Sequence, residues 1–373
     1  MSEWKTVRLG DYITEYSVKN KSNEDIPVYS VTNTQGFCTE YFSKDVSSKD
    51  KSNYKIVPRG CFAYNPSRIN VGSVDWQRYE DRVIVSPLYN VFKVSPELEN
   101  QYLYYFLKSD IGHTLITSKA EGSVRDNLKI TMLAEFSIPL PPLEEQKHIA
   151  AMLDKCTALV TKHKLMLEKY DTLIKSRFIE MFGDPVQNPM GWEEVRITEL
   201  CKNPDDIKCG PFGTQLSKDE YQKKGVPIFG IPQINSSFRV LPTDFLTNSK
   251  AEKLDAYSLI YGDIAMSRKG NVGKCAIYSG KEKGIIHSDV VRLRVDDAIC
   301  NSIYLMNQLH INQKVETQIS NVSSGAIMAG INVTKMKDII VYNPPLSLQN
   351  NFAAFVRQID KSKFENTTQE IAA

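Results

Sequence analysis

The sequence predicts an α+β protein in which two tandem domains of mixed α and β content are joined by long helices. Three observations carry this. The chain says things twice, with a period of roughly 200 residues, too long for a solenoid and right for two copies of one domain. Between the copies, Glu144 to Phe182 runs without a Pro or Gly. Elsewhere the apolar runs are short and bounded by turn residues, the pattern of β-strands. A chain of 373 residues has room for two or three separately cored domains. The expected boundaries are a first domain at 1–143, a central helix at 144–183, a second domain at 184–345 and a shorter C-terminal helix at 346–373.

The duplication can be followed element by element. Trp4-Lys-Thr-Val-Arg-Leu-Gly-Asp11 reappears as Trp192-Glu-Glu-Val-Arg-Ile-Thr-Glu199. The strand-like Ile26-Pro-Val-Tyr-Ser-Val31 reappears as Val226-Pro-Ile-Phe-Gly-Ile231. Tyr54 to Gly60, leading into Cys61-Phe-Ala-Tyr64, echoes Tyr257 to Gly262, leading into Asp263-Ile-Ala-Met266. The turn Arg68-Ile-Asn-Val-Gly72 matches Lys269-Gly-Asn-Val-Gly273. One helix per domain is expected, at Asn100 to Ser109 and Cys300 to Gln313. The end of each copy aligns without a gap: Gly122, Ile130, Thr131, Pro141, Pro142, Leu143 and Gln146 find Gly325, Val333, Thr334, Pro344, Pro345, Leu346 and Gln349 at one constant offset.

Pro141-Pro142 open the central helix, and Gly183 followed by Pro185 closes it, so both boundaries have a physical cause. Ile149, Cys156, His163, Tyr170 and Arg177 recur every seventh residue, as do Leu153, Val160, Leu167, Ile174 and Met181. That heptad makes a helix seek another along its length, over a rod of roughly 58 Å. Because Ile149, Leu153 and Cys156 map onto Phe352, Val356 and Ile359, the mate is the C-terminal helix. The pair is expected to pack antiparallel within one chain about an internal pseudo-two-fold. The C-terminal helix is the shorter, and the expectation is that Tyr170 to Met181 are left without a mate, to be covered from outside.

Composition narrows the function. The first residues lack the apolar core of an export signal, no apolar run approaches a membrane span, and seven cysteines occur without a CxxC pair. These predict a soluble chain in a reducing cytoplasm. A net charge of +2 means that any nucleic-acid surface is local. Gly270-Asn-Val-Gly-Lys-Cys275 resembles the end of a phosphate loop, but Arg268 stands where a Gly is needed and Cys275 where Ser or Thr would hold Mg²⁺. Asn343-Pro-Pro-Leu346 resembles the Asn-Pro-Pro-aromatic signature of amino-methyltransferases. It lacks the aromatic, and no glycine-rich cofactor loop follows an early strand. The five histidines show no metal-ligand spacing. An enzyme, a metal site and a cofactor on this chain are therefore not expected.

What stands out is polar and basic residues in corresponding loops of the two copies. In the first these are Arg68, Asn70, Gln77, Arg78 and Arg82, with Arg125 and Asn127 further on; in the second, Arg268, Lys269, Asn271 and Lys274. Arg reads guanine edges, Asn and Gln read adenine, and Lys neutralises phosphate. The loops are polar in both copies while their sequences differ, which suits one scaffold presenting two different readers of DNA. A coiled-coil scaffold that binds no DNA is the rival reading.

The tandem arrangement, the opening Trp4 to Asp11, and Ile138-Pro-Leu-Pro-Pro-Leu-Glu-Glu-Gln146-Lys-His-Ile-Ala150, running into a helix that ends Phe178-Ile-Glu-Met-Phe-Gly-Asp-Pro185, together resemble the specificity subunit of type I restriction-modification enzymes. The resemblance spans essentially the whole chain. It implies two target recognition domains, each reading half of a bipartite double-stranded DNA site, with the helices as a spacer. It implies partners, namely two methyltransferase subunits and the restriction subunits, which carry S-adenosylmethionine, ATP and Mg²⁺. It also implies a role in phage defence without catalysis by this chain. The specificity subunit of a related methylation-based defence system fits the same residues. Ile149, Leu153, Tyr170, Ile174, Phe178 and Met181 are the residues expected to dock partner subunits.

Overall fold

The computed structural model describes residues 4–39, 50–120, 127–323 and 333–371. The chain divides into two compact units, Met1–Lys162 and His163–Ala373, and the dividing point falls inside one unbroken helix, Leu143–Phe182.

In the first unit, the strand Lys5–Arg8 pairs antiparallel with Ser137–Leu140, just ahead of the central helix. A four-stranded sheet follows, in the order Ile13–Glu15, Asn90–Val94, Phe62–Tyr64 and Val74–Trp76, all antiparallel. Its inner face carries Phe62, Tyr64 and Phe92, fully buried with Leu103 and Leu107 of the helix Asn100–Lys108. The strands Lys55–Pro58 and Arg82–Val85 pair beside it, with a parallel bridge from Val28 to Ile84.

The second unit repeats this plan. Glu194–Arg196 pairs with Ile340–Tyr342 ahead of the C-terminal helix Leu346–Ile371. The matching sheet has the order Ile207–Cys209, Val290–Leu293, Ile264–Ser267 and Cys275–Ile277. The parallel bridge between Val28 and Ile84 in the first unit is here a parallel pairing of Val226–Phe229 with Gly284–Ile286. The outer edge of Ile340–Tyr342 is closed by two glutamines. Gln318 exchanges hydrogen bonds with the backbone of Ile340 at 2.8 and 3.0 Å, and Gln308 does the same for Tyr342 at 2.6 and 2.9 Å. Side-chain amides thus satisfy the groups that a third strand would have paired.

At the place where the sequence suggested a single helix, each unit has two consecutive ones. Asn100–Lys108 is followed at once by Asp110–Ala120, and Ser302–Ile311 by Gln313–Ser323. The second helix of each pair is rich in hydroxyl and amide residues, weak helix formers on their own. Tertiary anchors hold them: Ile116 in one unit, Val315 and Ile319 in the other, all buried.

One side chain fixes the start of each long helix. Gln146 is fully buried, accepts from the Glu99 amide at 2.8 Å, and donates to the carbonyls of Pro141 and Glu97 at 2.8 and 3.0 Å. Gln349 does the same with the Asn301 amide at 2.9 Å and the Pro344 carbonyl at 2.8 Å. The duplicated Pro-Pro-Leu-x-x-Gln is therefore a clamp between the long helix and the preceding domain. Gly183, at φ +80°, ends the central helix, and the Trp192 indole donates to the last helical carbonyl, Phe182, at 2.8 Å, as a C-cap requires.

The uncovered seam is not where the heptads suggested. Phe178 and Phe182 stack with Tyr304 and Phe352 at centroid distances of 4.8 to 5.9 Å. Arg177 lies over Phe355, and Lys363 reaches Asp171 at 3.2 Å and the ring of Tyr170. Within the second unit the C-terminal helix therefore begins beside the end of the central helix and runs back along it. Tyr170, Ile174, Phe178 and Met181 are packed in this core with Phe352, Phe355, Val356 and Ile359. The expectation of an unmated Tyr170 to Met181 is corrected: in an antiparallel pair the short partner covers the far end first.

Candidate nucleic-acid interface

Sheet topology decides which loops meet. Ile207–Cys209 and Ile264–Ser267 both run antiparallel to Val290–Leu293, so they leave the sheet at the same end, where Val290–Leu293 enters. Three loops gather there: 210–217, 268–274 and the turn 287–289. In the first unit the same order brings together 16–20, 65–73 and 86–89.

The second unit's basic loop is built from its backbone. Gly270 and Gly273 have φ of +69° and +85°, and a Cβ on Gly273 would press on Ile319 at 3.1 Å. The Gly273 amide bonds the Ser267 carbonyl at 3.1 Å, and the Lys274 amide bonds that of Asn271 at 3.1 Å. This short circuit turns the side chains of Lys269, Asn271 and Lys274 outward, and all three are exposed. Arg268 is half-buried. Its amide bonds the Asp289 carbonyl at 2.8 Å and its guanidinium approaches the Ser288 carbonyl at 3.5 Å. Lys269 pairs with Asp289 at 2.8 Å. The four predicted residues of this copy are thus on one loop, braced by the 287–289 turn.

In the first unit the predicted residues separate. Arg68 and Asn70 lie in the 65–73 loop, where Asn65 accepts from Ser67 and Gly72 takes φ +91°. Asn127 is their neighbour, since the Leu128 amide bonds the Pro66 carbonyl at 3.1 Å. Arg125 lies outside the described residues. Gln77, Arg78 and Arg82 leave the strand Val74–Trp76 at the opposite end of the hairpin. Gln77 is fully buried and its amide closes its own turn, accepting from Tyr79 at 2.6 Å and Glu80 at 3.1 Å. Arg78 bonds the buried carboxylate of Asp75, donates to Gln101 at 3.2 Å and stacks on Trp76 at 4.7 Å. Burial raises the Asp75 pKa, and the Arg78 charge works against that rise. Arg82 pairs with Glu24 at 2.6 Å on the surface. Gln77 is corrected to an internal role, because both polar atoms of its amide are bonded within its own turn, while Arg78 is held from within by Asp75 and Gln101.

Gln101 extends this network to the central helix. It accepts from the Trp76 indole at 2.9 Å and donates to Asp154 at 2.8 Å, where Tyr105 also donates at 2.7 Å. Ile149 packs against the same unit's core. Of the residues expected to dock partners, Leu153 remains exposed, with Met152, Leu159 and Val160 beside it, while Ile174 and Phe178 are buried within their own unit.

The sequence did not reveal the members of these loop clusters that come from elsewhere in the chain. They are Phe212 at 60% exposure, the 287–289 turn, and in the first unit Val18 and Leu88. Strand order, which the sequence does not display, brings them to the basic loops.

Comparisons with known proteins agree with this duplicated plan. The family model for the type I restriction modification DNA specificity domain matches residues 1–169 and again 189–373. The chain is 22% identical to the type I restriction enzyme MjaVIII specificity subunit of Methanocaldococcus jannaschii, covering 96% of this chain and 86% of that one. It is 25% identical to the EcoKI specificity subunit of Escherichia coli, covering 70% and 58%. The crystal structure of a type I restriction-modification S subunit from M. genitalium shares the fold at a TM-score of 0.59 and 14% identity, covering 98% of this chain and 91% of that one.

Proposed function

The chain belongs to the type I restriction-modification DNA specificity family, and from that premise we propose that its two repeats read the two halves of a bipartite DNA site. It is the non-catalytic recognition subunit. The observation that carries the two-reader assignment is the pair of matching four-stranded sheets, each presenting three loops at one end, with different side chains on the two sets. Arg268, Lys269, Asn271 and Lys274 serve one half-site; Arg68, Asn70 and Asn127 serve the other. The long helices set the number of base pairs left unread between the halves. Two methyltransferase subunits, carrying S-adenosylmethionine, and the restriction subunits, working with ATP and Mg²⁺, assemble on this chain in the cytoplasm. The exposed Met152, Leu153, Leu159 and Val160 offer them apolar contact.

The test is to reconstitute the chain with its methyltransferase subunits and map methylated positions across a genome. The expected pattern is a split motif. Arg268→Ala with Lys274→Ala degrades one half of it, and Arg68→Ala with Asn70→Ala the other. Each lost contact weakens binding by about ten-fold, since a good base contact is worth about 1–3 kcal/mol. A contiguous motif, or both double variants degrading the same half, refutes the reading.

A further inference from the structure

Phe212 sits at the tip of Gly210-Pro-Phe-Gly213, 60% exposed, on a loop held at both feet. Gly210 donates to the Val290 carbonyl at 3.0 Å. A Cβ there would lie 2.3 Å from the His287 carbonyl oxygen, so only glycine fits this approach. At the other foot the Tyr257 hydroxyl donates to Gln215 at 3.0 Å. Pro211 fixes φ just before the phenylalanine, and Gly213 takes φ +65° just after it. A ring in water, supported by a braced loop, is pre-organised for contact rather than left over from folding. The turn that receives Gly210 also holds the basic loop, through the bonds from Arg268 and Lys269 to Ser288 and Asp289. An apolar ring thus stands at the same sheet end as three cations and an amide.

We propose that Phe212 is a specificity-determining residue of the second reader, packing its ring on a base or thymine methyl of the half-site that the 268–274 loop reads. Aromatic side chains contact thymine methyls and stack on or wedge between bases. The proposal rests on the two-reader assignment. The first unit differs at the matching place. Tyr16 makes the equivalent ladder bond to the Val91 carbonyl, and two residues on stands Val18, whose own carbonyl accepts from the Ile56 amide at 2.8 Å. Val18 is smaller and its backbone is tied into a strand pairing, so the two readers carry different apolar probes.

The experiment compares methylation maps for assembled complexes carrying wild-type chain, Phe212→Ala, Phe212→Trp, and the Arg268→Ala/Lys274→Ala pair. Phe212→Ala is expected to relax one position of the second half-site, with about ten-fold weaker binding to the original sequence, the scale of one base–aromatic contact. The first half-site and the spacing stay unchanged. Phe212→Trp retains or shifts the preference at that position. If the Arg268/Lys274 pair degrades the half-site and Phe212→Ala does not, this inference fails alone. If neither changes the pattern, the loop assignment fails with it. Uniformly lower methylation with an unaltered motif assigns the ring to a protein partner and overturns the proposal. Phe212 lies outside the core, so unfolding of Phe212→Ala, read as an early melting transition, likewise overturns it.

Discussion

Replacing Arg78 with Met separates an internal role from a reading one. Asp75 is 2% exposed, and Arg78 supplies its charge partner. Met keeps much of the packing on Trp76 and Tyr104 but leaves the carboxylate with only the weaker charge interaction of Lys108. Removing one member of a buried pair costs about 3–5 kcal/mol. The Phe37 and Trp76 amides still serve Asp75, at 3.1 and 2.8 Å, so the expected loss is about 3 kcal/mol, at the lower end of that range. Burial already lifts the Asp75 pKa, and Arg78 opposes it; without Arg78 it rises further. A carboxyl whose folded pKa lies above its unfolded value holds a proton that the unfolded chain releases, so stability falls as pH rises through that interval. The deficit relative to wild type should therefore widen as pH rises above the ordinary carboxylate range. Pulse labelling of thiols reads this unit by unit: buried Cys61 reports opening of the first unit and buried Cys275 serves as the control in the second. Adding Asp75→Asn should recover part of the loss and remove the pH dependence. If Arg78→Met leaves Cys61 protected while the methylated half-site changes, the internal assignment is wrong and Arg78 is a reader.

Two further outcomes follow from the packing. Gln146→Ala and Gln349→Ala should each cost about 1–3 kcal/mol, because each strands a helix-start amide and buried carbonyls; hydrogen exchange at the Glu99 and Asn301 amides, accelerating by matched amounts in the two variants, is the check. Phe178→Ala should cost about 3–5 kcal/mol and loosen the C-terminal helix, so that limited proteolysis cuts after Lys361 or Lys363 well before wild type is cut, whereas Leu153→Ala, at an exposed site, should leave both stability and cleavage unchanged.

Local signals were legible and their assembly was not. The central helix could be bounded from Pro142 and Gly183 because each acts within one or two residues of its own position. The duplication made Gln146 and Gln349 partners on paper, yet their role depends on the amides of Glu99 and Asn301, almost fifty residues upstream. Among candidate readers, the 268–274 loop was found whole because it is contiguous. Arg78 and Gln77 looked like readers because Arg interleaved with aromatics is also what a buried ion pair beside a tryptophan looks like in one dimension. Phe212 was invisible for the opposite reason: it reaches the basic loop only through two strands that flank Val290–Leu293.

The placement of the uncovered seam shows how a correct observation can mislead. Matching Ile149 with Phe352 and Leu153 with Val356 establishes that the helices are copies, and copies suggest contact at matching positions. Two antiparallel helices meet in reverse order instead. Phe352 therefore touches Phe178 and Phe182, and Lys363 finds Asp171. Each step along the C-terminal helix moves back along the central one, so within the second unit a shorter partner covers the end of the central helix first. The beginning of the central helix is where Gln146 and Asp154 are tied to the first unit. A ruler between two readers has to be gripped at both ends, and the two grips differ in kind. Polar bonds through Gln101, Tyr105 and Asp154 hold the start, while an aromatic cluster around Phe178 and Tyr304 holds the finish. Substitution at Asp154 should accordingly disturb the first half-site alone, and substitution at Phe178 the second.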